Sequence, residues 1–124
     1  MKKTIKTDLA PQAIGPYSQG IMVGDILFTS GQIGLIPDKG ELAEGIEAQT
    51  TQVMENIKNI LQEAGLDFSK VVKTTIFLSD IKNFNKVNEI YAKYFTDDPP
   101  ARSCFEVACL PKEALIEIEV IAHR

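Results

Sequence analysis

The chain has 124 residues, 44% of them hydrophobic and 24% charged, with a formal net charge of -4. That length holds one domain with a core of its own, taken as residues 1–124, and not two. The acidic balance argues against an electrostatic grip on nucleic acid, and nothing in the chain resembles a membrane span of ~18 apolar residues or a signal peptide's apolar segment.

The first third reads as β. Tyr17–Val23 and Ile26–Ser30 are strand-like runs around the turn signal Gly24-Asp25, and the second ends in Ser30-Gly31-Gln32. Pro37–Gly40 has the composition of a loop. From Ile46 the period changes: Ile46, Thr50, Val53, Met54, Ile57, Leu61 and Ala64 recur at spacings of three and four, the inner face of a long helix, with Gly65 placed to end it. Val71–Leu78 is rich in β-branched residues and predicts a strand.

A second helix is expected over Phe84–Phe95, with Phe84, Val87, Tyr91, Tyr94 and Phe95 inward. Asn88 falls within that stripe and needs hydrogen bonds there, either to a neighbouring backbone group or in a pocket. Pro99-Pro100 stops the helix and leads into a strand from Ala101 to about Val107, followed by another from Ile116. The order β-β-α-β-α-β-β is an α+β sandwich, with two helices on one face of a sheet. Because Ile26-Leu27-Phe28 and Ile76-Phe77-Leu78 are apolar at adjacent positions, both sheet faces want cover, most simply from another subunit.

The last two strands alternate. Ser103, Phe105, Val107 and Cys109 share one face of the first, and Arg102, Cys104 and Glu106 the other; Glu117 and Glu119 lie opposite Ile116, Ile118 and Val120. This places a guanidinium and several carboxylates on one small piece of sheet. They form either a structural ion-pair surface or a clamp for a carboxylate ligand beside a carboxylate that orients water.

Absences narrow the chemistry. There is no phosphate-binding glycine loop and no dinucleotide fingerprint, and the one histidine, His123, stands beside the C-terminus as an expected frayed, solvent-exposed side chain. No metal site is expected from this composition. Cys104 and Cys109 are not expected to pair, which fits a reduced, cytoplasmic protein. Cys104 has nothing nearby in sequence to activate its thiol. The chemistry left is light: hold an anion, exclude solvent, position one water.

The chain resembles the reactive-intermediate deaminase (RidA, YjgF or YER057c-like) family over essentially its whole length. The resemblance rests on Ala13–Gln19, Thr29–Ile33, Gln49, Val53, Asn56, Ile57, Leu61, Ala64 and Gly65, then on Val72–Thr75, Val87-Asn88, Pro100–Cys104, Leu110-Pro111 and Ile116–Glu119. It implies a chorismate-mutase-like fold, a homotrimer with clefts between subunits, no cofactor, and hydrolysis of 2-enamine/2-imine acids such as 2-aminoacrylate and 2-iminobutanoate to 2-oxo acids and ammonia. The implied roles are Arg102 as clamp for the substrate carboxylate and Glu117 as the residue that positions or activates water, with Tyr17, Ser30, Gly31, Asn88 and Cys104 lining the pocket. Glu119 shares the face of Glu117, so register decides which of them reaches the cleft. The Thr96–Pro99 connection is short compared with some members, which bears on substrate range. Two other functions stay open: a binding module for small 2-oxo acids without turnover, and the endoribonuclease or translation-inhibitor activity ascribed to some members, against which the acidic balance and the lack of a histidine pair count.

Overall fold

The computed structural model describes residues 1–124. Its strands are β1 (Lys2–Ile5), β2 (Gly20–Val23), β3 (Ile26–Thr29), β4 (Gln32–Ile33), β5 (Val71–Leu78), β6 (Ala101–Glu106) and β7 (Ile116–His123), with helices α1 (Gly45–Glu63) and α2 (Phe84–Tyr91). They form one sheet in the order β1-β2-β3-β7-β5-β6, with β4 paired to β7 beside β3. Every pairing is antiparallel except β5 with β6, which is parallel.

The helices cover one face. On the sheet side of the core, Leu27, Ile76, Leu78, Ile116, Ile118 and Ala122 are wholly buried; on the helix side, Val53, Ile57, Ile60 and Leu61 are as well. All seven stripe positions expected for the first helix are buried. Gly65, at φ 77°, turns the chain out of α1 in a Schellman arrangement, with Leu66 N–H donating to Leu61 O and Gly65 N–H to Gln62 O. The other sheet face has no layer over it. Phe28 and Phe105 are about half exposed there, and the Phe77 and Phe105 rings stack at 6.4 Å.

Polar side chains on α1 fix the middle of the sheet. The wholly buried Asn56 donates from Nδ2 to Ile33 O and Leu35 O and accepts from Gln52 Nε2. Gln49 Oε1 accepts from Leu115 N, the residue before β7. Gly34 makes this close approach feasible, since a Cβ there would stand 2.9 Å from Gln49 Cα. The helix thus sets where β4 and β7 begin.

Several expectations are corrected. β1 lacks an apolar run and pairs at the sheet edge, where its lysines are tolerated. Tyr17–Gln19 is not strand: the backbone bends after Gly15, at φ 128°, and pairing starts only at Gly20. α2 ends at Tyr91, after which Lys93 and Tyr94 bond three residues back in tighter turns, while Tyr94 and Phe95 still pack edge-on to Phe68. β6 stops at Glu106, so Cys109 lies in the following turn, exposed, and shares no strand face with Ser103. His123 is not frayed; it pairs with Ile26 as the last residue of β7.

The largest correction concerns the charged residues. Glu117 pairs with Phe77, which pairs with Phe105; Val120 pairs with Thr74, which pairs with Arg102. Paired residues point the same way, so Glu117 and Glu119 project from the open face while Arg102 and Cys104 project from the helix face. Within one chain the guanidinium shares its face with Glu106, as expected, but not with Glu117 and Glu119. Alternation within each strand was legible, but the relative phase of two strands is set by pairing register.

Replacing Asn56 by Ala removes the partners of Ile33 O and Leu35 O in a dry site. Urea unfolding of Asn56→Ala is expected to show a loss of about 2 kcal/mol.

Candidate active site

Two groups of side chains lie back to back across the sheet. The first surrounds Glu117 on the open face, in a pocket of about 350 Å³ whose lining includes Tyr17, Gln19, Gly31, Ile33, Lys112 and Glu117. Glu117 sits there because β7 pairs with β4 at Ile33, which brings the Gly31 backbone beside the carboxylate. A Cβ on Gly31 would overlap Glu117 Oε2 and stand 2.7 Å from Cδ. The glycine leaves room for the carboxylate where it stands, and its backbone angle does not call for glycine. Burial, followed by the charge of Glu119, raises the Glu117 pKa above the ordinary carboxylate value. Glu119 itself is exposed, pairs with Thr75 and is not part of this lining.

The wall opposite is the loop from Thr7 to Gln19. Gln19 is 3% exposed and clips it: its Oε1 accepts from Thr7 N at 2.7 Å, and its Nε2 donates to Thr7 O at 3.0 Å and Pro11 O at 2.8 Å. Ser30 ties the same loop to β3, donating from Oγ to Ser18 O at 2.6 Å and from N to Gln19 O at 2.9 Å. Ser30 therefore faces the loop's backbone and does not line the pocket. Tyr17 is 53% exposed, with its hydroxyl accepting from Ile14 N.

The second group surrounds Arg102 on the helix face, at the edge strand β6. Its Nη1 donates to Asn88 Oδ1 at 2.7 Å, and its Cζ lies 4.9 Å from the Tyr91 ring centroid and 5.3 Å from that of Phe84. Tyr91 is held by a 2.8 Å hydrogen bond with the buried Thr74 hydroxyl. Arg102 takes part in neither of the chain's ion pairs, Lys58–Glu55 and Arg124–Asp25. Cys104 lies two residues along the same face, half-buried; burial raises its thiol pKa and the Arg102 charge opposes that shift. No group of three or more His, Cys, Asp or Glu side chains is placed to hold a metal ion, and no helix is long and apolar enough to cross a membrane.

Of the residues singled out from sequence, Tyr17, Gly31 and Glu117 come together with Ser30 behind them, and Arg102, Asn88 and Cys104 come together on the other side. One group offers a carboxylate that can take a proton from water, the other a solvent-open cation that can hold an anion. Sequence reasoning gave Phe84 and Tyr91 to the core alone, although their spacing from Asn88 on one helical stripe was the available signal. It also left out Lys112. That residue and Glu113 adopt positive φ, 56° and 58°, a strained turn beside the pocket foreshadowed only by Leu110-Pro111.

A model of the family described as Endoribonuclease L-PSP matches residues 7–124. The chain belongs to this family. It is 50% identical over 127 residues to the 2-iminobutanoate/2-iminopropanoate deaminase of Salmonella typhimurium, covering 100% of this chain and 99% of that one. Against the human protein of the same name the identity is 48% over 123 residues, covering 98% and 90%. The crystal structure of YyfA, a Rid family protein from Yersinia pestis, superposes with a TM-score of 0.98 at 54% identity and full coverage of both chains. The fold is thus the RidA/YjgF one, α+β and chorismate-mutase-like.

A raised carboxyl pKa means the folded protein holds that proton more tightly than the unfolded chain does. The folded state therefore loses stability as pH rises through the raised value. Thermal unfolding should show Glu117→Gln melting above the wild type at neutral pH, with the gap closing as pH falls through the carboxylate range.

Proposed function

We propose that this protein is an enamine/imine deaminase, a hydrolase that converts 2-imino acids such as 2-iminobutanoate and the imine of 2-aminoacrylate to 2-oxo acids and ammonia. The observation that carries the proposal is full-length identity of about half to proteins named for that reaction. The chemistry of the two groups fits it. Arg102 binds the substrate carboxylate in two parallel hydrogen bonds, which leaves the imine carbon fixed in place. Ionised Glu117 takes a proton from a water as the water oxygen bonds to the carbon of the protonated imine, giving a tetrahedral amino alcohol. Glu117 passes that proton to the nitrogen, the C–N bond breaks as the hydroxyl gives its proton to Glu117, and that proton leaves with the ammonia as the oxo acid forms. No electrons are exchanged with a cofactor, and none is required.

Because the two groups face opposite ways, the working site is built between copies: Arg102 of one protomer meets Glu117 of its neighbour. The contacting patches differ, so the contact is heterologous and closes as a ring. We take that ring to be a homotrimer with three clefts, and the uncovered face with Phe28, Phe77 and Phe105 to be what it buries. In it Tyr17 closes over the ligand, Gly31 and Cys104 offer backbone groups, Asn88 steadies Arg102, and Ser30 holds the Tyr17 loop. The cytoplasm suits this protein, since its two free cysteines stay reduced there.

The test is a threonine or serine dehydratase reaction trapped with semicarbazide, in which added protein should speed formation of 2-oxobutanoate or pyruvate. No acceleration of either product, or full activity in Arg102→Ala, would sink the proposal. Gly31→Ala, which displaces the Glu117 carboxylate, should lower kcat about 100-fold. Arg102→Ala and Glu117→Gln proteins, each inactive alone, should regain about a quarter of wild-type activity when unfolded and refolded together in equal amounts, the share of random interfaces that join two intact halves. No recovery in a mixture that reassembles would rule out a shared site. Activity should also fall on the acid side of a pH profile at a pH above the ordinary carboxylate range, because Glu117 must be ionised to act.

A further inference from the structure

Arginines that bind anions are commonly held by carboxylates, which fix the fork but cancel part of its charge. Arg102 is held differently. Its guanidinium touches two aromatic rings and one amide, and neither of the chain's ion pairs includes it. The three holding residues, Phe84, Asn88 and Tyr91, stand at i, i+4 and i+7 of α2 and so rise along one stripe of the helix. Tyr91 is 6% exposed and its hydroxyl is bonded to Thr74, which is 1% exposed and is the direct β5 partner of Arg102. The ring that faces the guanidinium is thereby pinned to the strand next to the one that carries it.

We infer that α2 and Thr74 form a charge-neutral cradle for Arg102, in which Tyr91 and Phe84 are positioning residues for the deamination. The inference rests on the deaminase reading and names what sets its affinity for the substrate carboxylate. An aromatic face attracts the guanidinium without supplying a full negative charge, and one amide oxygen fixes a single N–H. The remaining N–H groups and the whole positive charge are left for the ligand. Where the rings cover the guanidinium they stand in place of water, which strengthens its pairing with an incoming anion. Thr74 and Tyr91 satisfy each other's hydroxyls, so the cradle leaves no unpaired polar group in the core.

The deciding variant is Asn88→Asp. The new carboxylate accepts the same hydrogen bond from Nη1 and keeps the side-chain shape, so a purely structural role for Asn88 survives it. The cradle, however, becomes an ion pair. Calorimetry with 2-oxobutanoate should show Kd raised by at least about tenfold, KM in the dehydratase assay should rise in parallel, and the unfolding temperature should stay level or increase. Tyr91→Leu and the less buried Phe84→Leu should each raise KM about tenfold or less with a smaller change in kcat, as expected for loss of one cation–π contact. Tyr91→Phe, which keeps the ring, should recover most of that loss. Tyr94→Leu removes an aromatic side chain that bonds Glu55 and not Arg102, and should leave KM unchanged.

Folded Asn88→Asp and Phe84→Leu proteins with Kd and KM within twofold of wild type would overturn the inference. Equal losses in kcat alone, with Kd unchanged, would overturn it as well. Wild-type protein that binds 2-oxobutanoate without hydrolysing imines would refute the deaminase reading only, and the calorimetric ratios then decide the cradle. Wild-type protein that neither binds nor hydrolyses overturns both.

Discussion

Strand-to-strand register across β7, β5 and β6 is the constraint on which this molecule depends. Side chains on paired strands point the same way at each rung, so once Ile118 pairs with Ile76 and Ile76 with Cys104, every other orientation follows. Ile116, Ile118 and Val120 must face the helices to fill the core. Glu117 then has no choice but the open face, and Arg102, level with Thr74, no choice but the helix face. A single hydrophobic requirement separates the cation from the carboxylate by the thickness of the sheet.

That separation is supported by polar contacts that would be costly elsewhere. Asn56 and Gln49 spend buried amides on the backbone around β4 and just before β7, which places Glu117 against Gly31. Gln19 does the same for the loop that walls the pocket. No buried side-chain nitrogen or oxygen is left without a partner, so the polar framework carries no unpaired cost within the core. Backbone strain falls outside the sheet and the helices, at Asp38, at Asp98 and at the Lys112-Glu113 turn beside the pocket.

Much of this was legible in the residues. The stripe from Ile46 to Ala64 and the glycine after it specified α1 to within a residue or two, because helical periodicity is a local property with many repeats. The β-branched run Val71–Leu78 matched β5 at both ends. That apolar side chains emerge on both sheet faces was visible in adjacent residues such as Ile26-Leu27-Phe28. What was not legible is what depends on distant pairing. β1 has no pattern of its own and exists because β2 offers an edge. Phe84 and Tyr91 looked like ordinary core residues because nothing near them in sequence shows that Arg102 will lie over their rings. The relative facing of Arg102 and Glu117 failed for the same reason: alternation gives two faces per strand, and only β5, more than twenty residues before Arg102, says how they line up.

The same register limits how this scaffold can change over evolutionary time. An insertion of one residue in β7 ahead of Glu117 would turn its carboxylate inward and expel an isoleucine, so the strand ends that carry the charged pair are closed to length variation. The loop clipped by Gln19 and the turn at Lys112 are under no such parity rule, since neither pairs in the sheet. Changes of length are thereby channelled into two short stretches of backbone, while the faces from which Arg102 and Glu117 project stay fixed.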